Sequence, residues 1–199
     1  PMSTDSVFAI FSTTKPLTAT LVMQLVEEGG LALDDEAGRY APEIDELQVL
    51  DGFDAAGQPR LRAPKRRITV RDLMLHTSGL CYEFFSADDL KFRAARGIPT
   101  VVSCSFESIR TVLLHDPGEA WTYGVNIDWL GRIVEKLRGD RLGHVMRERL
   151  FDPLGMEEIG FGLTEALQPR RAVIHARADD GTLTPLPDLK LPDPPPMDM

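Results

Sequence analysis

Ser12 and Lys15 stand three positions apart in "FSTTKP" (Phe11 to Pro16), and Tyr123 stands far along the chain in "GEAWTYGVNIDWLG". Residues i and i+3 of a helix share a face, so Ser12 Oγ and Lys15 Nζ can meet above a first turn. A serine hydroxyl becomes a useful nucleophile once a base takes its proton, and a desolvated lysine can be that base. A helix start adds the backbone N–H of Ser12, pointing where an oxyanion would form. A tyrosine beside a lysine can relay protons between nucleophile and leaving group, and Tyr123 is the candidate for that role. The chain has eight serines and five lysines, so chance alone gives S-x-x-K about 0.2 times per chain. The bland alternative is an N-cap serine followed by a surface lysine, with Tyr123 and Trp121 as half-buried aromatics.

The elements that must hold these residues are legible in part. After Ser12, the apolar residues Leu17, Leu21, Val22, Leu25 and Val26 recur at helical spacing until Gly29-Gly30, and Pro16 forces the helix to begin near Ser12 or Thr13. Ahead of it, residues 5 to 11 read as an extended, half-apolar run. Leu47–Leu50 and Gln58–Arg62 flank the turn-rich "DGFDAAG" as a predicted hairpin. Thr69 caps "VRDLMLH", with Asp72 at the capping-box position, and Thr77–Gly79 ends that helix. A helix is predicted over Phe106 to Leu114 behind Ser105. Another is capped by Asn126, with the stripe Ile127, Leu130, Ile133, Val134 and Leu137, and a further one runs from about Arg141 to Leu150. Beyond Arg170 the pattern becomes two short strands around Asp180-Gly181. The tail, with six prolines between Pro185 and Pro196, reads as an extended loop or linker.

Composition removes several function classes. At 43% hydrophobic, 199 residues can bury one sizeable core, and a net charge of −9 leaves nucleic-acid binding without overall electrostatic support. The basic run "RLRAPKRR" (Arg60 to Arg67) is read as a solvated loop. Cys81 and Cys104 have neither C-x-x-C nor zinc-site spacing and read as buried small side chains. His76, His115, His144 and His175 are scattered without H-E-x-x-H, so no metal and no organic cofactor is expected. No apolar run approaches the roughly eighteen residues of a membrane span, and the expectation is a cytoplasmic protein with no membrane partner.

Four segments carry a resemblance: "FSTTKP", "ITVRDLMLHTSGL" (Ile68 to Leu80), "PGEAWTYGVNIDWLGRIVE" (Pro117 to Glu135) and "FDPLGM" (Phe151 to Met156). Their order and spacing resemble the serine β-lactamase and penicillin-binding protein superfamily, for which S-x-x-K is a known motif. The stretch from Leu47 to Gly79 is especially similar to the esterases that resemble class C β-lactamases, known as family VIII. The resemblance implies an α+β fold of the β-lactamase/transpeptidase type. Residues 1–30 would be a strand and the catalytic helix, 31–170 a helical lobe, and 171–199 the start of a return to the sheet with a proline-rich linker. It implies Ser12 as the acylated nucleophile, Lys15 as its base or proton partner and Tyr123 as the activator of water, with Asn126 and Trp121 binding substrate. His76 would be a packed residue in a structural turn.

Three departures stand out. Class C enzymes carry Tyr-x-Asn, whereas Asn126 lies one position later; Gly124 replaces the serine usual after the tyrosine in the esterase branch; and the superfamily's third motif, a Lys-Thr-Gly or its substitute on a sheet strand, is absent. The expected partner is therefore the remaining part of the same fold, whose strands would contact Phe8, Ile10, Val173 and Ile174 and complete the oxyanion hole. The implied activity is hydrolysis of a small-molecule carboxylic ester through an acyl-enzyme on Ser12. The alternatives are β-lactam or D-alanyl peptide cleavage on the same machinery, or a scaffold that keeps the fold without catalysis. If Lys15 must be neutral to accept a proton, Lys15→Arg is expected to be nearly as damaging as Lys15→Ala, since guanidinium keeps its proton. Ester turnover by the arginine variant above about a tenth of normal, a loss under about 1.4 kcal/mol, would reduce Lys15 to an electrostatic role.

Overall fold

Pro16 lacks an N–H, and only the first turn of a helix can spare one. The chain accordingly enters through a 3-10 turn over Phe11–Thr13, and helix α1 runs Thr14–Glu27. The computed structural model describes residues 2–186, 192–193 and 195–198. After α1 come the antiparallel pair β1 (Val49–Phe53) and β2 (Pro59–Arg62), then α2 (Val70–Leu75), α3 (Ala87–Arg96) and the single turn α4 (Phe106–Ile109). Helix α5 (Asn126–Arg138) leads to α6 (Leu142–Met146), which continues into a π turn over Arg147–Phe151, and the second antiparallel pair is β3 (His175–Arg177) with β4 (Leu183–Pro185). This is the helical lobe, with little sheet, of the fold expected from the sequence.

Helix α5 is the centre of the core. Trp129, Leu130, Ile133 and Val134 are fully buried on it, and α1 presses Leu21, Val22 and Leu25 against it while α2 packs nearby. The buried indole of Trp129 donates to Ile109 O at 3.1 Å, so burying it leaves no polar atom stranded. Thr69 and Asp72 form the expected capping box at the start of α2, and both hairpins sit where their turn residues place them.

Several expectations fail for reasons of longer range. The helix beginning at Phe106 stops at Ile109, because Leu113 instead donates to Gln48 O at 2.9 Å and accepts from Leu50 N at 2.8 Å. Buried Val112 and Leu113 thus extend the edge of β1 rather than coil. Val125, not Asn126, is the N-cap residue of α5. Ahead of α1 the extended run makes one parallel bridge, Val7 to Arg171, and no strand, since a single neighbouring segment offers no ladder. Phe8, Ile10 and Val173 are exposed and Ile174 is half-buried, so the helices do not cover them, and among the described residues no further strand lies against them.

The tail is not merely a linker. Residues 187–191, 194 and 199 lie outside the described residues, but Met197 and Asp198 are buried on the helical lobe. Asp198 accepts from Arg141 Nη2 at 2.6 Å and from Gly143 N at 2.9 Å, which supplies the start of α6 with an acidic partner. The basic run is solvent-exposed, as expected, and is also held in ion pairs. Arg62 grips Asp116 through two bonds of 2.9 and 2.6 Å, Lys65 reaches Glu119 at 2.6 Å, and Arg66 takes Asp72 at 2.6 and 2.8 Å. These pairs tie the approach to α2 onto the loop that carries residues 116–119.

Burial pushes the Asp72 carboxyl up, but Arg66 together with the backbone and hydroxyl of Thr69 overcomes it and leaves the group at about 2. A carboxyl held below its unfolded value contributes stability above about pH 4 that is lost as pH falls through about 2. With allowance for the half-exposed Arg66 the contribution is about 1–2 kcal/mol. Asp72→Asn is expected to lower stability by that amount at pH 7, and the gap from the parent should close between pH 5 and pH 2 in urea unfolding. A gap that stays constant over that range would show that Asp72 contributes no charge-dependent stability.

Candidate active site

The opening of α1 carries backbone strain. Phe11, directly before Ser12, has φ 42, a left-handed conformation that a bulky residue rarely holds. Ser12 follows on an exposed turn, and its side chain caps nothing. Its Oγ instead accepts from the Tyr123 hydroxyl at 2.8 Å and from Lys15 Nζ at 3.4 Å. Lys15 is half-buried, and its ammonium lies over the rings of both Tyr82 and Tyr123, 5.3 and 5.2 Å from their centroids. The structure therefore brings Tyr123 to Ser12, 111 positions earlier in the chain, and to Lys15 beside it. A hydroxyl flanked in this way can pass its proton to either neighbour once that neighbour has given up its own.

Tyr123 is held by the seam between the end of α2 and the loop before α5. Thr122 N donates to His76 O at 2.8 Å, Gly118 N to Thr77 O at 2.7 Å and Leu114 N to Gly79 O at 2.8 Å. Gly79 has φ 100, and a Cβ there would stand 2.4 Å from His115 O, so the close approach requires glycine. Gly124 is needed for the same kind of reason: a Cβ would meet Cys81 Cα at 2.4 Å. The serine expected after Tyr123 by resemblance has no room in this chain.

Asn126 lies beneath the site. It is fully buried, and its Oδ1 accepts from Ser78 Oγ at 2.5 Å while Nδ2 faces Leu80 O at 3.3 Å, Thr122 O at 3.4 Å and His76 Nδ1 at 3.0 Å. Gly124 N also donates to His76 Nδ1, at 3.4 Å. Two donors on Nδ1 make it the acceptor and leave the ring proton on Nε2. His76 is thus packed, as expected, with its ring 4.9 Å from that of Tyr123. Trp121, 68% exposed, stacks beside Tyr123 with centroids 6.3 Å apart at the mouth of the site. Cys81 and Cys104 are buried and unpaired.

Sequence reasoning missed Tyr82 and Asp128. Lys15 Nζ donates to the Tyr82 hydroxyl at 2.9 Å, closer than its contact with Ser12. Tyr82 belongs to "CYEFF", immediately after the last residue of a recognised segment, and three aromatics in four loop residues were the available signal. Phe84 and Phe85 continue the aromatic surface, Phe84 stacked on Tyr82 at 4.9 Å, and both are exposed. Glu83 points the other way, taking Val101 N at 2.8 Å beside the buried pair Arg93 and Asp89, which anchors the loop. Asp128 reads in sequence as an ordinary acidic residue in a helix first turn, yet it is buried, and burial pushes its carboxyl up.

The profile of the Beta-lactamase family matches residues 1–194, and the chain belongs to that family. It is 36% identical over 180 residues to the acyltransferase mokF of Monascus pilosus, covering 90% of this chain and 43% of that protein. It is 36% identical over 163 residues to the lovastatin esterase of Penicillium rubens, covering 81% of this chain and 41% of that one. Among solved structures, a variant of the simvastatin synthase of Aspergillus terreus superposes with a TM-score of 0.84 at 34% identity, over 93% of this chain and 45% of that chain. The fold is thus that of the β-lactamases and transpeptidases, and within the family the likeness is to acyltransferases and esterases of the family VIII type. The chain spans less than half the length of each of these relatives.

Burial, with the Lys15 charge beside it, lowers His76 to about 4. The unfolded chain takes up a proton on this ring near pH 6.5, so the contribution of neutral His76 to stability is whole above that pH and is lost as pH falls towards 4. The imidazole resonances of His76 are expected to stay those of the neutral ring from pH 8 to pH 5 in an NMR titration. A midpoint near 6.5 would mean that the ring is solvated and the seam open.

Proposed function

We propose that the protein is a serine hydrolase that cleaves carboxylic esters through an acyl-enzyme on Ser12. The observation that carries the reading is the convergence on Ser12 Oγ of Tyr123 at 2.8 Å and Lys15 at 3.4 Å. In this reading Lys15 accepts the serine proton as Oγ attacks the ester carbonyl. The Ser12 N–H supports the oxyanion, and the proton passes to the departing alcohol. Tyr123 then activates the water that releases the acid and regenerates Ser12. Asn126, with its amide spent on the seam, holds Tyr123 in place rather than touching substrate. Trp121, Phe84 and Phe85 offer an exposed aromatic surface to an apolar acyl or alcohol group.

The relatives include both acyltransferases and an esterase, and transfer to an alcohol in place of water uses the same acyl-enzyme. That makes acyl transfer the second reading, ahead of β-lactam cleavage. A second oxyanion donor would come from the part of the fold that these longer relatives have, packed over the exposed side chains of Phe8, Ile10 and Val173. In the full-length protein, Ser12→Ala is expected to abolish hydrolysis of a short-chain nitrophenyl ester and labelling by a fluorophosphonate, while melting within a few degrees of the parent. Turnover of nitrocefin with no ester turnover would favour the β-lactamase alternative. Labelling retained in the alanine variant would remove Ser12 as nucleophile, and a parent protein that neither labels nor turns over ester would favour a scaffold.

A further inference from the structure

The turn that opens at Tyr82 has its polarity reversed. Phe85 N donates to Tyr82 O at 3.0 Å, which closes a turn over Tyr82–Phe85. Such a turn is expected to leave its charged side chain in water and to fold its phenyl rings into the core. Here Glu83 is 7% exposed, whereas Phe84 and Phe85 are 61% and 66% exposed. Both choices work against stability, because a buried carboxylate has to be paired and an exposed ring forgoes its transfer out of water. The pairing is provided: Glu83 Oε1 accepts from Val101 N at 2.8 Å, and Oε2 lies 3.6 Å from Arg93 Nε. Arg93, itself buried, donates to Asp89 Oδ2 at 2.7 Å and to Pro99 O and Ser108 O, each at 2.8 Å. The turn is thereby fastened to α3, to the segment at Pro99 and to α4. Ser86 caps α3 by accepting from Asp89 N at 3.1 Å, so the chain is held on both sides of the two phenylalanines.

What the outward rings face is the candidate site. Phe84 stacks on Tyr82 with centroids 4.9 Å apart, and Phe85 meets Phe84 edge-on at 4.7 Å and lies 6.2 Å from the ring of Tyr123. The Tyr123 hydroxyl reaches Ser12 Oγ, so the aromatic wall is continuous with the atom that attacks the ester in the reading above. We propose that Glu83 is a positioning residue that holds Phe84 and Phe85 outward as a specificity-determining wall, and that the wall takes an aryl group of the ester bound at Ser12. The proposal rests on the Ser12 reading and names a substrate class for that site. An aryl group is the partner that fits, because rings already meeting one another stacked and edge-on offer a flat apolar face the same contacts, which a short alkyl group does not match. The wall touches no reacting atom. It binds the ring alike before and during reaction, so its effect falls on KM rather than on kcat.

Benzyl acetate carries a ring on the alcohol side, ethyl phenylacetate carries one on the acyl side, and ethyl acetate carries none. The full-length parent is expected to favour at least one of the ring-bearing esters over ethyl acetate by about tenfold or more in kcat/KM. Phe84→Ala/Phe85→Ala should reduce that preference about tenfold, mainly through KM. Glu83→Ala should reduce it in the same way, and adding Glu83→Ala to the phenylalanine pair should cost little more, since it acts through those rings. A Glu83→Ala protein that melts lower but keeps the parent preference has lost only structure, and overturns the proposal; so does a triple variant whose losses multiply. A phenylalanine variant that melts far lower with unchanged preference would show the rings covered by the remainder of the fold, which also overturns it. Should Glu83→Ala fail to fold, Glu83→Asp decides, because a side chain one methylene shorter cannot hold both Val101 N and Arg93: lost preference supports the proposal and unchanged preference overturns it. Turnover that survives Ser12→Ala would overturn the nucleophile reading and the proposal with it, whereas a Ser12-dependent parent with no preference among the three esters overturns the wall alone.

Discussion

The seam between the turn His76–Leu80 and the loop running from Leu114 to Asn126 is the constraint on which the site depends. Three carbonyls of that turn accept backbone N–H groups from Leu114, Gly118 and Thr122, and the Asn126 amide closes the seam from below. The Gly79 and Asn126 ends of the seam are buried, so a bond left unmade there would cost the desolvation of its partners. The seam fixes Tyr123 relative to α2, and the packing of α1 on α5 fixes Ser12 and Lys15 relative to Tyr123. Helix α5 thus serves both sides, with Asn126 locking the seam and its buried face packed against α1.

Charge supports this arrangement at a distance. Burial alone would raise Asp116 as it raises any carboxyl, yet the Arg62 side chain and the Lys65 backbone and ammonium hold it well below the usual range. Asp72 is held down in the same way by Arg66. The two carboxylates fasten the basic run to the start of α2 and to the Asp116–Glu119 loop, which lie on either side of the seam. The run is exposed, as composition suggests, yet through Asp116 and Asp72 it also clamps the two sides of the seam.

What could be read from the sequence was what local rules decide. The helix after Ser12, the capping box of Thr69 and Asp72, the two hairpins and the apolar stripe of α5 each follow from spacing, capping or turn chemistry within a few residues. Ser12, Lys15 and Tyr123 were legible because two share a helix turn and the third stands in a recognisable segment. The residues that were not legible depend on partners far away in the chain. Leu113 leaves a helical pattern because Gln48 and Leu50 offer it hydrogen bonds, and Asp198 is buried because Arg141 and Gly143 receive it. Tyr82 joins the site only because Lys15, 67 positions earlier, reaches its hydroxyl.

Of the three non-glycine residues in left-handed backbone among the described residues, two lie at the candidate site and the third is Cys104. Phe11 and His76 hold left-handed backbone that their side chains disfavour, at φ 42 and 57, one beside Ser12 and the other at the head of the seam. Among the described residues Asp128 Oδ2 is buried without a hydrogen-bond partner, as are Glu83 Oε2 and Arg93 Nη2 in the cluster that anchors the loop behind Tyr82. Each lowers the stability of the folded chain, and together they would be difficult to retain in a scaffold that had only to fold. In the proposed reaction Lys15 would gain charge, and a base that does so is served by a fixed dipole already in place, such as the Tyr82 hydroxyl that its Nζ contacts at 2.9 Å.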